Sequence, residues 1–174
     1  MNQPSKNKLH DIILTGENQF QEFKTSFSKE TIETITAFAN STGGCVYIGI
    51  DDSGRIKGID VGKETLQIWQ SQIKLKTQPS LFPDIDVMNI DGKKIVCLTI
   101  QEHPIKPVSC KGKYYQRKKN ANHQMTITEI SDCHLKTFNT SWDFYPATTH
   151  TIEDLSLKKI NNFIARANTI RPFP

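Results

Sequence analysis

The chain has 174 residues, 36% hydrophobic and 23% charged, with a net charge of +4: one domain and a tail, with enough apolar content to bury a core unaided. The longest apolar run, Cys45–Ile50, is far short of the ~20 residues that span a bilayer. The polar Met1–His10 segment lacks the apolar core of a signal peptide, so membrane-spanning, secreted disulfide-rich and collagen-like classes are excluded and a cytoplasmic protein is expected.

Residues 1–14 form a polar lead-in ending in Ile12-Ile13-Leu14. Gln19–Thr25 reads as a short strand. Ser28 is a good N-cap, and Ile32, Ile35, Phe38 and Ala39 recur at helical spacing, so a helix is expected over Lys29–Asn40. Gly43-Gly44 ends it. Cys45–Ile50 reads as a buried strand, Asp52-Ser53-Gly54 as a turn, and Arg55–Ile59 as a short returning strand. Lys63–Thr77 is a second expected helix, ended by Pro79 and Pro83. Asp86–Ile90 and Lys93–Ile100 flank Asp91-Gly92, a strong hairpin signal. Val108–Cys110 and Tyr114–Arg117 flank a second tight turn at Lys111-Gly112. Thr126 and Glu129 form a capping box for a helix over Ile127–Phe138. An irregular stretch follows from Asn139 to His150. A last helix runs from Leu155 or Leu157 to Ala167, with Leu157, Ile160, Phe163 and Ile164 on one face. Strands interleaved with helices, several in hairpins, indicate an α+β domain with a mixed or antiparallel sheet.

Four cysteines, at 45, 97, 110 and 133, are irregularly spaced and contain no CxxC. They read as reduced thiols. No GxSxG or HExxH is present, so no hydrolase triad is supported. Trp69 and Trp142 read as packing residues.

Three constellations can carry chemistry. The first is acidic: Glu17, Glu22, Asp51 and Asp52 lie at the ends of neighbouring expected strands. Converging carboxylates would hold Mg²⁺ or Mn²⁺. The alternative is a turn aspartate pair and two solvated glutamates. The second is Asn40-Ser41-Thr42-Gly43-Gly44, either amides exposed to phosphate or a helix C-cap turning into a strand. It is not a P-loop, because its glycines follow a helix rather than precede one. The third is basic. From His103 to Thr128 there is no acidic residue, while Lys106, Lys111, Lys113, Arg117, Lys118 and Lys119 give the window a charge of +6. Strand alternation puts Lys113, Tyr115 and Arg117 on one face. That is either a polyanion footprint with an aromatic platform or an edge strand protected by charge.

Several of these segments together resemble one family. Glu17-Asn-Gln-Phe-Gln-Glu22-Phe23-Lys24 resembles the E-x4-E-F-K opening of the Schlafen AlbA_2 domain. Ala37-Phe38-Ala39-Asn40-Ser41-Thr42-Gly43-Gly44, with the following Ile48-Gly49-Ile50-Asp51-Asp52-x-Gly54-x-Ile56-x-Gly58, resembles its central signature. Pro107 and Tyr114–Arg117 are similar to its later P…YyxR element. The resemblance covers Thr15–Phe138. One departure is Lys118-Lys119-Asn120, where the family commonly has a Gly-Ser turn.

The resemblance implies an Alba-like fold and nucleic-acid binding over residues 15–138, with residues 139–174 as connector and C-terminal helix. Ser141-Trp142-Asp143 and Thr151–Leu155 look like the connector that joins the domain to an ATPase-like region in bacterial transcriptional regulators. The chain is then either an N-terminal fragment or a short stand-alone member. In that reading Lys24, Lys111, Lys113, Arg117, Lys118 and Lys119 contact phosphates of DNA or RNA, and Tyr115 stacks on a base. The related lobes of animal Schlafen proteins imply an alternative: a metal-dependent endoribonuclease acting on structured RNA. Its carboxylates fall on Glu17, Glu22 and Asp52, with Asp51 as neighbour, around Mg²⁺ or Mn²⁺. A third reading is a dimerising interaction module, a homodimer built on strand edges.

Overall fold

The computed structural model describes residues 6–137, 151 and 154–170. The expected connector around Ser141-Trp142-Asp143, positions 152 and 153 of the next expected segment, and the Phe138 end of the third expected helix lie outside the described residues. The described chain is α+β. In order it comprises α1 (Lys6–Thr15), β1 (Gln21–Lys24), α2 (Lys29–Ala39), β2 (Gly44–Ile48), α3 (Lys63–Lys76), β3 (Thr77–Gln78), β4 (Asp84–Ile90), β5 (Lys93–Ile100), β6 (Ser109–Cys110), β7 (Lys113–Lys118), β8 (Ala121–Gln124), α4 (Ile127–Thr137) and α5 (Leu157–Ile170).

The first sheet has strand order β1-β2-β5-β4, with β1 parallel to β2 and the other pairs antiparallel. The second is antiparallel throughout, in the order β3-β6-β7-β8. Both hairpin turns adopt the left-handed pair of dihedrals expected of them. Asp91 and Gly92 have φ of 51° and 80°, and Lys111 and Gly112 have φ of 49° and 76°. The returning strand expected at Arg55–Ile59 is reduced to one bridge, Ile50 to Ile56.

Helix α2 organises the core. Its residues from Thr31 to Ala39 are buried except Glu33. Two of its three buried threonines donate to the helix backbone: Thr34 Oγ1 to Glu30 O at 2.9 Å, and Thr36 Oγ1 to Ile32 O at 2.8 Å. Ile32, Ile35, Phe38, Val46, Ile48, Val96, Leu98, Val108 and Cys110 form one cluster that joins α2 to both sheets, closed at one side by Trp69 and Ile73 of α3. Trp69 stacks on Phe27 with ring centroids 4.6 Å apart.

The other face of the first sheet carries a second cluster: Phe23, Tyr47, Ile50, Met88, Ile95 and Cys97, covered by Leu9 with Ile12 and Ile13 beside it. The polar lead-in of the sequence is therefore largely helix α1. Cys45 and Cys97, expected as separate thiols, lie on adjacent strands and are joined as a disulfide with Cα atoms 6.4 Å apart. Cys110 and Cys133 are free. Helix α5 belongs to a separate unit, residues 140–174, and its Leu157, Ile160, Phe163 and Ile164 are exposed.

Candidate functional site

The loop before β1 is bent by a short polar turn. Asn18 Oδ1 accepts from Phe20 N at 2.8 Å, and Asn18 N donates to Gln21 O at 3.0 Å. The bend tucks Glu17 back along the strand, where its Oε1 accepts from Phe23 N at 3.0 Å. Glu22 then points inward from β1 and meets a partner 95 residues away. Arg117 Nη2 donates to Glu22 Oε2 at 2.6 Å, and Lys24 Nζ approaches Glu22 Oε1 at the same distance.

Arg117 spends its whole fork on this junction. Its Nε and Nη2 donate to Asn18 O at 3.3 and 2.9 Å, and its Nη1 donates to Asn122 Oδ1 at 2.9 Å. The guanidinium lies 5.0 Å from the centre of the Phe38 ring. Its side chain is 1% exposed. Strand alternation did put Lys113, Tyr115 and Arg117 on one face, but from Tyr115 onward that face looks toward α2. Tyr115 packs against the main core, and its hydroxyl donates to Glu33 Oε1 at 3.1 Å. Arg117 and Tyr115 therefore serve as internal ties; Arg117 is buried and presents no surface to a phosphate, while Tyr115 is half-buried.

The Asn40–Gly44 loop is a second internal tie. Asn40, the C-cap of α2, is 7% exposed. Its Nδ2 donates to Val108 O at 2.7 Å and Tyr115 O at 2.8 Å, while its Oδ1 accepts from Val108 N at 2.6 Å. Ser41 Oγ accepts from Arg117 N at 2.9 Å. Gly43 has φ of +77°, and a Cβ there would lie 2.8 Å from Ile100 O. The Asn40 and Ser41 side chains face the protein and the Ser41 and Gly43 amides bond to Phe38 O, so the loop is a cap and clasp rather than a phosphate cradle.

The carboxylates do not converge. Asp51 is fully committed to its own turn: Oδ1 accepts from Ser53 Oγ at 2.6 Å and Arg55 N at 2.9 Å, and Oδ2 accepts from Arg55 Nε at 3.0 Å. These bonds, the Ser53 hydroxyl foremost, hold its carboxyl well below the usual range. Asp52 is exposed in the same turn. Among the described residues, no group of three His, Cys, Asp or Glu side chains is placed to hold a metal ion. The set Glu17, Glu22 and Asp52 thus does not fit Mg²⁺ or Mn²⁺ here, because an arginine and a backbone amide already occupy the two glutamates.

The cations divide between the two ends of β7. Lys111 and Lys113 lie at the β6–β7 turn, Lys118 and Lys119 at the β7–β8 turn, and all four are exposed. A six-residue strand separates the ends by roughly 20 Å. Lys111 and Lys119 both hold left-handed backbone, φ 49° and 57°. The side chains of Lys111, Lys113 and Lys119 have no acidic partner among the described residues. Lys24 is engaged by Glu22, and Lys118 by Glu129 at 2.7 Å.

Glu129 is the realised capping box of α4. Its Oε2 accepts from Thr126 N at 2.9 Å, and its Oε1 from Gln116 Nε2 at 2.6 Å and from Lys118. The Lys118 ammonium, followed by these hydrogen bonds, lowers its carboxyl from 4.5 to about 2. A carboxyl depressed by folding stabilises the fold above its unfolded value and loses that effect as pH falls toward its folded one. Lys118→Ala is therefore expected to move the Glu129 carboxyl back toward 4.5 in a carbon-detected NMR titration. An unmoved titration would show that Lys118 does not hold Glu129 in solution.

Glu17, Asn18, Gln19 and Phe20 face Lys119 and Asn120 across an open cleft of about 520 Å³. The sequence reading singled out only Glu17 and Lys119 of these six. The signal for the others is position: all lie within or beside the E-x4-E-F-K segment and the turn after Arg117.

The family model described as Schlafen, AlbA_2 matches residues 17–126. Sixteen chains of solved structures are similar, among them the following two. The DIP2311 protein from Corynebacterium diphtheriae superposes with a TM-score of 0.55 at 16% identity, over 98% of this chain and 31% of that one. The present chain thus spans about a third of that protein's length. The N-terminal domain of a RecG-related protein from Nitrosomonas europaea, named for an ATP-dependent DNA helicase, superposes with a TM-score of 0.55 at 22% identity, over 72% of this chain and 95% of that domain. Identities this low show a shared fold. No curated protein matches the chain.

Proposed function

The chain belongs to the Schlafen AlbA_2 family, and from that premise we propose that it is a nucleic-acid-binding module. The observation that carries the reading is the acid-free hairpin of residues 109–124, whose Lys111, Lys113 and Lys119 are exposed and unneutralised. Cations at both ends of β7, roughly 20 Å apart, are far enough apart to meet separate phosphates of one duplex. A structural neighbour named for a DNA helicase supports the same class of partner. DNA as the ligand, service in a bacterial-type transcriptional regulator with an ATPase-like region, a homodimer and a cytoplasmic setting are the finer parts of this proposal and rest on the family resemblance. In this reading Glu17, Glu22 and Asp51 do structural work.

The phosphate contacts in this reading are Lys113 and Lys119, with Lys111 beside them. Lys118 contributes less, because Glu129 competes for it. Each lost phosphate contact lowers the slope of log affinity against log salt by about one unit, whatever the nucleic-acid sequence. Lys113→Ala with Lys119→Ala is expected to lower the slope by about two. Fluorescence anisotropy on labelled DNA and RNA duplexes at several salt concentrations measures it. An unchanged slope removes these lysines from the interface.

A further inference from the structure

The cleft between the residue 17–20 loop and the β7–β8 turn pairs an exposed aromatic ring with a cation. Phe20 is 50% exposed although it is flanked by Asn18, Gln19 and Gln21. An exposed phenyl ring on a polar loop is an unsatisfied apolar surface. Its backbone is rigidly held: Phe20 N donates to Asn18 Oδ1 at 2.8 Å, and Phe20 O accepts from Cys45 N at 2.8 Å. The loop beneath is clamped by Arg117 through Asn18 O. Across the cleft, Lys119 is fixed in left-handed backbone at the tip of the β7–β8 turn. The volume of about 520 Å³ is within the range of small-ligand sites.

We infer that this cleft receives one unpaired nucleobase, stacked on Phe20, with a flanking phosphate on Lys119. The inference rests on the nucleic-acid reading above and adds to it a preference for a bulged, looped or extruded base. An aromatic face accepts any base by stacking, since every base has a π-face. The exposed amides of Gln19 and Asn120 line the same cleft and offer donors and acceptors to a base edge. A duplex with every base paired has no ring to offer Phe20, so it engages only the lysines. Because the backbone that carries the ring is already held, stacking orders only the side chain.

The test compares two labelled 20-bp duplexes, one fully paired and one carrying a single bulged 2-aminopurine, each made as DNA and as RNA. The folded protein, Phe20→Ala and Phe20→Tyr are titrated against each, with circular dichroism checking that the variants keep the wild-type spectrum. The wild type is expected to bind the bulged probe more tightly and to quench 2-aminopurine emission. Phe20→Ala is expected to lose roughly 5- to 100-fold in affinity for the bulged probe, to lose the quenching, and to keep its affinity for the paired probe. Phe20→Tyr should behave as wild type. Equal losses on both probes, or none on either, would overturn the base site while leaving the lysine interface intact. Wild-type protein that binds neither probe would overturn the nucleic-acid reading and the cleft assignment with it.

Discussion

Arg117→Ala is expected to lower the thermal midpoint of the domain by about 10–20 °C. The reasoning starts from burial: the Arg117 side chain is 1% exposed and that of Glu22 is 9% exposed. Removing the arginine leaves a carboxylate inside the protein with only Lys24 to face it. It also strips the carbonyl of Asn18 and the amide of Asn122 of donors. Breaking a buried pair from one side costs about 3–5 kcal/mol, and for a domain of this size each kcal/mol shifts the midpoint by about 3–4 °C. Arg117→Lys should recover little, because a point charge cannot serve Glu22, Asn18 and Asn122 at once. The diagnostic comparison is Arg117→Met combined with Glu22→Gln, which removes both charges and should cost less than Arg117→Met alone. Differential scanning calorimetry settles it; an arginine variant within 3 °C of wild type would show that the pair does not hold the sheets together.

Asn40→Ala should be nearly as damaging, by about 3–5 kcal/mol. The side chain makes three hydrogen bonds of 2.6–2.8 Å to the backbone of Val108 and Tyr115, and it is almost wholly buried. Truncation leaves one N–H and two carbonyls with no partner in a space too tight for bulk water. Each unsatisfied buried group costs about 1–3 kcal/mol, and adding the cavity and lost cap makes several kcal/mol the expected total. Asn40→Asp retains an acceptor for Val108 N but replaces the donor to two carbonyls with an oxygen, so it should not rescue. Urea unfolding gives the answer directly. A midpoint unchanged in Asn40→Ala would mean that the cap is dispensable and that the asparagine serves an external partner instead.

Much of the fold was legible because local chemistry and tertiary structure agree. Asp91-Gly92 and Lys111-Gly112 demand left-handed backbone and receive it. Thr126 and Glu129 close the capping box that their spacing announces. The apolar spacing of Ile32, Ile35, Phe38 and Ala39 marks the helix that lies at the centre. Helix α1, strand β8 and the two-residue strand β3 were not legible. Helix α1 has few apolar residues in a polar stretch, and only the uncovered face of the first sheet gives Leu9 a reason to be buried. Strand β8, Ala-Asn-His-Gln, has no apolar alternation; it exists because β7 offers an open edge.

The site divides in the same way. Its cations and its E-x4-E-F-K segment stand out in sequence, and alternation assigns Tyr115 and Arg117 to one side of their strand. Which side faces α2 depends on packing between elements distant in sequence. A lone glutamate gives no hint that its counterion lies 95 residues downstream. Hence Glu22 resembled half of a metal site until the arginine was placed beside it.

The long reach of these ties bears on how the protein emerges from the ribosome. The four strands of the first sheet are complete once Ile100 has left the exit tunnel, and α2 can dock on them at once. At that moment Asn40 and Glu22 are half-built joints: their partners, Val108, Tyr115 and Arg117, are still inside the tunnel. A nascent chain stalled with Ile100 just clear of the tunnel should hold a native-like first sheet yet remain protease-sensitive at the C-terminal end of α2. Protection there should arrive in one step as Arg117 clears the tunnel, so the last hairpin acts as the latch that commits the whole domain.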